Sequence, residues 1–417
     1  MKSEELYTYL RLHFLPDSNM SGLPQTRIEQ LITDHDKALN LIDETLRNVI
    51  EEKVNNLDGE WGAFLSGGID SSLVCSYLKD IKPNLEVFSI GNDSGIHDET
   101  ALATEYARLM GLKQHLVRID SDVALNFLDY LEWAITEPFG DFSLIPTTFV
   151  AKMAKDAGMV SCFSGDGGDE LFFGYPRYWS VAKNIKYQNL PLSIKKLLYG
   201  IDKVFFKNRH INSAVLCDKQ ADAHLGLHSR FSDEDVKKLC PNIEARFPEW
   251  FDVFTYPNFR DEQELLIRMR EAEFKFMGDK GLRKLKLASD ATGLNIVTPM
   301  LHPQFIETAL RVSPYLSYGD GRKKQLLKDI LAKRVPGAPI DNIKRGFTMP
   351  LGKWIREELR EPFTQTLFDK EAIDYFGMDK DVMTGIFKAH LKGEKDYKHA
   401  LFTLYTLFRW HQHEREN

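Results

Sequence analysis

Four short apolar runs, each spaced from the next by a helical pattern, constrain this chain more than any other feature. They are AFL (63–65), LEVFSIG (85–91), QHLVRID (114–120) and MVSCFSG (159–165). Between them, SSLVCSYLKDI, ETALATEYARLMG and VALNFLDYLEWAI carry apolar residues at helical spacing. Gly111 closes the second of these as a C-cap. Strands alternating with helices at this interval predict an α/β fold, an open parallel sheet with helices on both faces.

Upstream, residues 25–56 repeat apolar side chains with helical period through Ile32, Leu39, Ile42, Leu46 and Ile50. Beyond about residue 185 the pattern turns mainly helical, in ELLIRMREAEFKFM, PQFIETAL, KKQLLKDILAK, LGKWIREEL and HALFTLYTLFRW. The expected organisation is an N-terminal segment 1–40, a nucleotide-binding core 41–190 and a mainly helical substrate-binding part 191–417 packed on that core. The tail WHQHEREN, with His411 and His413, reads as a solvated end.

Ligands of open parallel sheets bind beyond the carboxyl ends of the strands. Two loops fall there, SGGIDSS after the first strand and SGDGGDE after the fourth. In the first, Gly67 and Gly68 lack the Cβ that would obstruct a bulky anion and permit positive φ. The helix that follows presents free N–H groups and its positive dipole end. Ser66, Ser71 and Ser72 add hydroxyls. Together these make a cradle for phosphate oxygens. Asp70 would repel a bare phosphate, so a cation must lie between them, and Mg²⁺ is the usual bridge. No GKS or GKT follows, so this is not a Walker loop.

The second loop sets Asp166, Asp169 and Glu170 among Gly165, Gly167 and Gly168. Three acids so close need a shared cation or a basic group. The reading that results places Asp169 beside Asp70 on the metal and leaves Asp166 facing the substrate as an acid/base or orienting group.

Composition narrows the partners. With 54 basic and 61 acidic residues the formal charge is −7, and basic runs such as Lys195-Lys196 are short. Nucleic acid is therefore not an expected partner. No stretch approaches the ~20 apolar residues of a membrane span, and the start MKSEELYTYL lacks the plan of a signal peptide. A cytoplasmic protein without a membrane partner is expected. Cys75, Cys162, Cys217 and Cys240 show no CxxC spacing, and no HxxxH pair is read on an evident helix. Both points argue against a zinc site. Cys75 and Cys162 are expected to be inert packing residues.

SGGIDSS resembles the pyrophosphate-loop signature of ATP pyrophosphatases. SGDGGDELFFGYPRY is similar to the second signature of the asparagine synthetase family, whose relatives include β-lactam synthetases. EVFSIGNDSGIHDET with Asp98-Glu99, EPFGDFSLIPT and KRGFTMPLGKWI resemble further elements of that family, so the likeness runs over roughly residues 40–410. It implies ATP and Mg²⁺ as cofactors and a two-stage reaction. A substrate carboxylate attacks the α-phosphorus of ATP, releasing pyrophosphate, and ammonia or an amine then takes the acyl group from AMP.

By the same resemblance Ser66, Gly67, Gly68, Asp70 and Ser71 hold the phosphates. Leu65, Ile90 and Gly91 contact the adenosine, with Gly165 of the second loop alongside. Asp70 and Asp169 bind Mg²⁺, and Asp166 handles the proton of the amine. Lys324 stabilises charge as pyrophosphate leaves, with Gly319 and Gly321 flanking it. Glu273 or Asp279 matches the downstream acid that completes the acid/base pair of β-lactam synthetases.

The pattern departs from the family in two places. Glutamine-dependent members begin Met-Cys, whereas residue 2 is lysine and only about 60 residues precede the first loop. The expectation is a synthetase without its own glutaminase, fed by free ammonia, an amine or a separate ammonia-supplying partner. Where the family has Asp-Arg-x-Ser-Met and Glu-x-Arg-x-Pro, this chain has Lys286 for the acid, Val297 for the arginine and, just beyond, His302 for an aspartate. A small amino-acid-like carboxylic acid other than aspartate is expected. Lys286 either pairs with its carboxylate or is a surface residue. Intermolecular amidation leads. Intramolecular closure to a lactam and a non-catalytic nucleotide-binding subunit are the alternatives.

Overall fold

The computed structural model describes all residues except 19–25, 27–29, 93–99, 121–122, 124–127, 129–134, 189, 206–210, 212, 319–321, 341–348 and 417. The expected third helix, 123–135, lies mostly outside the described residues. So do Asp98, Glu99, Gly319 and Gly321, and 344–348 of the KRGFTMP element.

All four expected strands form: β1 Trp61–Phe64, β2 Glu86–Asn92, β3 Lys113–Ile119 and β4 Ser161–Phe163. A fifth, β5 Asn295–Val297, joins them from far along the chain. The sheet is parallel in the order β3-β2-β1-β4-β5. The sequence hides β5 because it is three residues long, with its middle residue only partly buried and its first exposed.

Successive side chains of a strand point to opposite faces, and each face has its own core. Ala63, Val87, Phe163 and Val297 pack with the helices His35–Asn55, Ile69–Ile81 and Thr100–Met110. Phe64, Phe88 and Cys162 pack on the other side against Val150, Ala151 and Ala154 of the helix Leu144–Asp156. Each buried aliphatic or aromatic side chain contributes about 1.5–3 kcal/mol. The first of these helices starts later than its apolar period suggests, because Asp34 caps it by accepting from Lys37 N–H at 2.7 Å. Ile32, in front of that cap, instead pairs its backbone with the segment at Val312.

The third core belongs to the helical part and includes the N-terminal helix Ser3–Leu12. That helix buries Leu6 through Leu12, and Tyr9 donates to the Thr403 carbonyl oxygen at 3.0 Å. The tail that reads as solvated is in fact helical: Lys398–Glu416 is continuous, and His411 is buried with its ring stacked 4.1 Å from Tyr375. Apolar residues 400–408 carry the helix past the last turn signal, and the polar end follows.

The helix Glu262–Thr292 joins the two parts. Asp261 caps its start, and Gly293, at φ +67°, ends it in the left-handed region. Its 31 residues span roughly 46 Å at 1.5 Å per residue. It packs on Leu144–Asp156 and delivers the chain to β5. The cysteines are free. Burial pushes the Cys75 thiol up and the Cys162 thiol up to about 12, so neither is reactive.

Candidate functional site

β1 and β4 are neighbours, and from them the strand order runs outward in opposite directions. Both Gly-rich loops leave the sheet at this switch point, where open parallel sheets form their crevice.

Their backbones touch. A Cβ on Gly165 would stand 2.5 Å from Ser71 N, and one on Gly168 would stand 2.5 Å from the Asp70 carboxylate. Gly67, at φ +83°, turns the chain so that the helix Ile69–Ile81 begins with Gly68 as its N-cap. Ser66 and Ser71 share a hydroxyl hydrogen bond of 2.9 Å, and Gly68 N–H donates to Ser66 Oγ at 3.2 Å. Ser72 is buried in the helix, and its Oγ has no hydrogen-bond partner among the described residues. Leu65, Ile90 and Gly91 lie at the carboxyl ends of β1 and β2. Leu65 N–H donates to the Phe88 carbonyl oxygen at 2.9 Å.

Asp70 and Asp169 converge on one cation. Lys324 Nζ is paired with Asp70 Oδ2 and lies 2.6 Å from Asp169 Oδ1. Lys324 itself sits at φ +54°, and its N–H donates to the Phe172 carbonyl oxygen at 3.1 Å. Gly174 makes room: a Cβ there would lie 1.8 Å from Asp169 Oδ1 and 2.4 Å from Lys324 Cε. Burial alone would lower the Lys324 pKa, but Asp169 and Asp70 more than offset it and hold the ammonium charged. Two carboxylates thus stand together beside the phosphate cradle. That donor set, with hard oxygens from two loops facing a single positive centre, fits Mg²⁺.

Asp166 lies beside these groups but makes different bonds. One oxygen accepts from Ser164 Oγ and the other from Lys284 Nζ at 3.1 Å. Burial raises its pKa, and Lys284 with Ser164 brings it below the ordinary carboxylate value. Asp166 is therefore an ionised acceptor.

Lys284 is the site residue that sequence reasoning missed. Its signal was available: positions 273, 277, 280 and 284 fall on one helical face. Lys286, two residues on, points elsewhere. It is 73% exposed and paired with Asp290 four residues along, so of its two readings the surface one holds. Val297 is buried in β5, and its carbonyl accepts from Ser164 N–H at 2.8 Å. His302 stands at the N-cap position of the helix Pro303–Leu310 without a side-chain capping bond and faces Glu52 at 3.8 Å.

One helical turn before Lys284, Lys280 pairs with Asp141. Burial, with Arg230 adding repulsion, outweighs that pairing and lowers Lys280 to about 8. His13 completes the group within electrostatic reach of Lys280, Arg230 and Asp141. Both His13 ring nitrogens and Arg230 Nε are buried without a hydrogen-bond partner among the described residues. Orphaned polar atoms inside a fold mark a place for a polar guest.

Glu273 is elsewhere engaged. Arg177 holds both of its oxygens, at 2.5 and 2.6 Å. His224 and His228 bring Nε2 to Oε1 at 2.6 and 2.9 Å. The histidines have HxxxH spacing (HLGLH, 224–228), with His224 in the helix Gln220–Gly226 and His228 just beyond its end. With Glu273 they form a set of metal-ligand type. Two ligands of a tetrahedral ion at ~2.0–2.1 Å must stand roughly 3.3 Å apart. These separations are those of hydrogen bonds, and the Arg177 guanidinium already supplies the positive charge. Burial lowers His228 to about 3, so it is a neutral donor. Asp279 accepts from Asp17 N–H at 3.0 Å and pairs with Arg283.

Residues 41–412 match the family model described as asparagine synthase. Asparagine synthetase [glutamine-hydrolyzing] 1 of Bacillus subtilis is 28% identical over 91% of this chain and 60% of its own length. A putative asparagine synthetase [glutamine-hydrolyzing] of Mycobacterium tuberculosis is 25% identical over 93% of the chain and 60% of its own. The chain thus spans about 60% of the length of these curated relatives.

Proposed function

Because the chain belongs to the asparagine synthase family, we propose that it is an ATP-dependent amide-forming ligase that works through an acyl-adenylate. The observation that carries this reading is the meeting of Asp70 and Asp169 at Lys324 between two Gly-rich loops.

In the first stage a carboxylate oxygen of the substrate attacks the α-phosphorus and the bond to pyrophosphate breaks. The backbone of Gly67 and Gly68, with the Ser66 and Ser71 hydroxyls, holds the phosphates. Leu65, Ile90, Gly91 and Gly165 line the nucleoside side. Lys324 neutralises charge that builds on the departing oxygens, an interaction stronger in the transition state than in the ground state. Mg²⁺ held by Asp70 and Asp169 would supply Lewis-acid polarisation of the phosphates. In the second stage ammonia or an amine attacks the acyl carbon, AMP leaves, and Asp166 accepts the nitrogen's proton. Lys284 keeps Asp166 ionised for that task.

The substrate is a small carboxylic acid with a second charged group. Lys280, Arg230, Asp141 and the orphaned His13 offer that group both signs of charge, as an amino acid requires. Glu273 is occupied by Arg177 and the histidines, which favours amidation between molecules over a lactam closure that needs a free second acid.

An ATP–pyrophosphate exchange screen over amino acids and diacids tests the reading. One acid should support exchange, and Asp70→Asn or Asp169→Asn should cut it by at least about 10²–10³-fold with the melting temperature retained. Exchange that survives either substitution refutes the assignment.

A further inference from the structure

The helix Leu192–Phe205 is inside out. Its buried side chains are polar: Lys195 donates to the Cys217 carbonyl oxygen at 3.3 Å, and Asp202 accepts from Ile211 N–H at 3.1 Å. Its apolar side chains, Ile194, Leu197, Ile201, Val204 and Phe205, recur every three or four residues and face out. Leu197 is 63% exposed, Val204 72% and Phe205 74%. A surface helix normally presents such a stripe to the core. Trp179, on the neighbouring helix Pro176–Ala182, is exposed as well.

Charge sets this region apart. Between positions 183 and 209 the sequence carries seven basic residues and one acid, Asp202, in a chain whose total is −7. Lys196 and Lys203 stand exposed beside the apolar stripe.

We infer that this face lies on the surface of a membrane containing anionic lipids, with Leu197, Val204 and Phe205 entering the headgroup boundary and the lysines meeting lipid phosphates. A strongly amphipathic helix with large apolar residues on one side and lysine on the other has this property, and each lysine near an anionic leaflet adds to the attraction. The assignment replaces the expectation of no membrane partner. It concerns lying on a bilayer, since no described helix is long and apolar enough to cross one. A second copy of the chain is the poorer fit. A two-fold contact would set each lysine-rich face against its like, whereas an anionic leaflet complements it.

Vesicle flotation of the full chain tests this. The chain should float with vesicles of 70% phosphatidylcholine and 30% phosphatidylglycerol and stay at the bottom with phosphatidylcholine alone. Leu197→Glu with Val204→Glu should weaken flotation at least tenfold while leaving the thermal melt and nucleotide exchange unchanged. Three results would overturn the inference. They are no flotation with anionic vesicles, equal flotation with neutral ones, or a wild-type dimer in sedimentation equilibrium that the double substitution splits, which makes the face a contact between copies.

Discussion

Two buried carboxylate centres, one around Lys324 and one around Glu273, divide this molecule into chemistry and scaffold. Around Lys324, two carboxylates from separate Gly-rich loops meet at one ammonium. Around Glu273, one carboxylate receives a guanidinium fork and two imidazole contacts. Both are deeply buried and both titrate far from ordinary values. Burial and a perturbed pKa therefore do not by themselves distinguish a site from a strut. Placement does, because the carboxylates at Lys324 come from the two loops at the switch point of the sheet, where ligands of open parallel sheets bind.

The sharpest way to break this contrast is to neutralise Glu273. Glu273→Gln leaves Arg177 buried without its counter-charge, and the expected loss is about 3–5 kcal/mol of stability, read by denaturant unfolding. Exchange per folded molecule should persist. Loss of exchange at full stability would move Glu273 into the chemistry. Next comes Lys284→Met. Removing the lysine that holds Asp166 ionised should slow amide formation about 10²-fold, the lower range for a general base, while pyrophosphate exchange changes little. A quench-flow comparison of the two stages separates them.

The pH dependence is smaller. Lys280 is lowered to about 8 by burial, below its ordinary 10.5, so it loses its proton as pH rises through about 8. KM for the acid should climb on that alkaline limb with kcat steady, and Lys280→Arg should move the limb upward. Steady-state kinetics between pH 7 and 10, on the order of the Lys280 and reference values, would show it. The sign for stability is the opposite: the charged form is disfavoured in the fold, so its cost is fully present below about 8 and is relieved as pH rises from about 8 towards the ordinary 10.5, the fold gaining stability while binding weakens. Smallest of all, Lys286→Ala removes an exposed pair with Asp290 and should change stability by less than about 0.5 kcal/mol. A larger shift would return Lys286 to the site.

Much of this was readable in the residues. The alternation of strands and helices fixed the sheet class, and the glycines of SGGIDSS and SGDGGDE located the loops; in the second, Cβ atoms on Gly165 and Gly168 would stand 2.5 Å from the first loop. Lys286 was read as either a surface residue or a partner because lysine content alone does not choose a helix face; the 273–277–280–284 periodicity does. His224 and His228 were overlooked although their spacing is plain in HLGLH.

What the chain by itself determined was local: which runs extend, where the backbone must turn without a side chain, and which acids stand among glycines. Tertiary structure decided how charges add up. Lys324 reaches Asp70 across 254 positions, and Arg177 reaches Glu273 across 96. It also set the fifth strand into the sheet and turned the stripe of Leu192–Phe205 to the outside. The physical reason is the same in each case. Hydrogen-bond saturation, net charge and exposure are sums over neighbours in space, and a period along the chain specifies a face without saying what will stand opposite it.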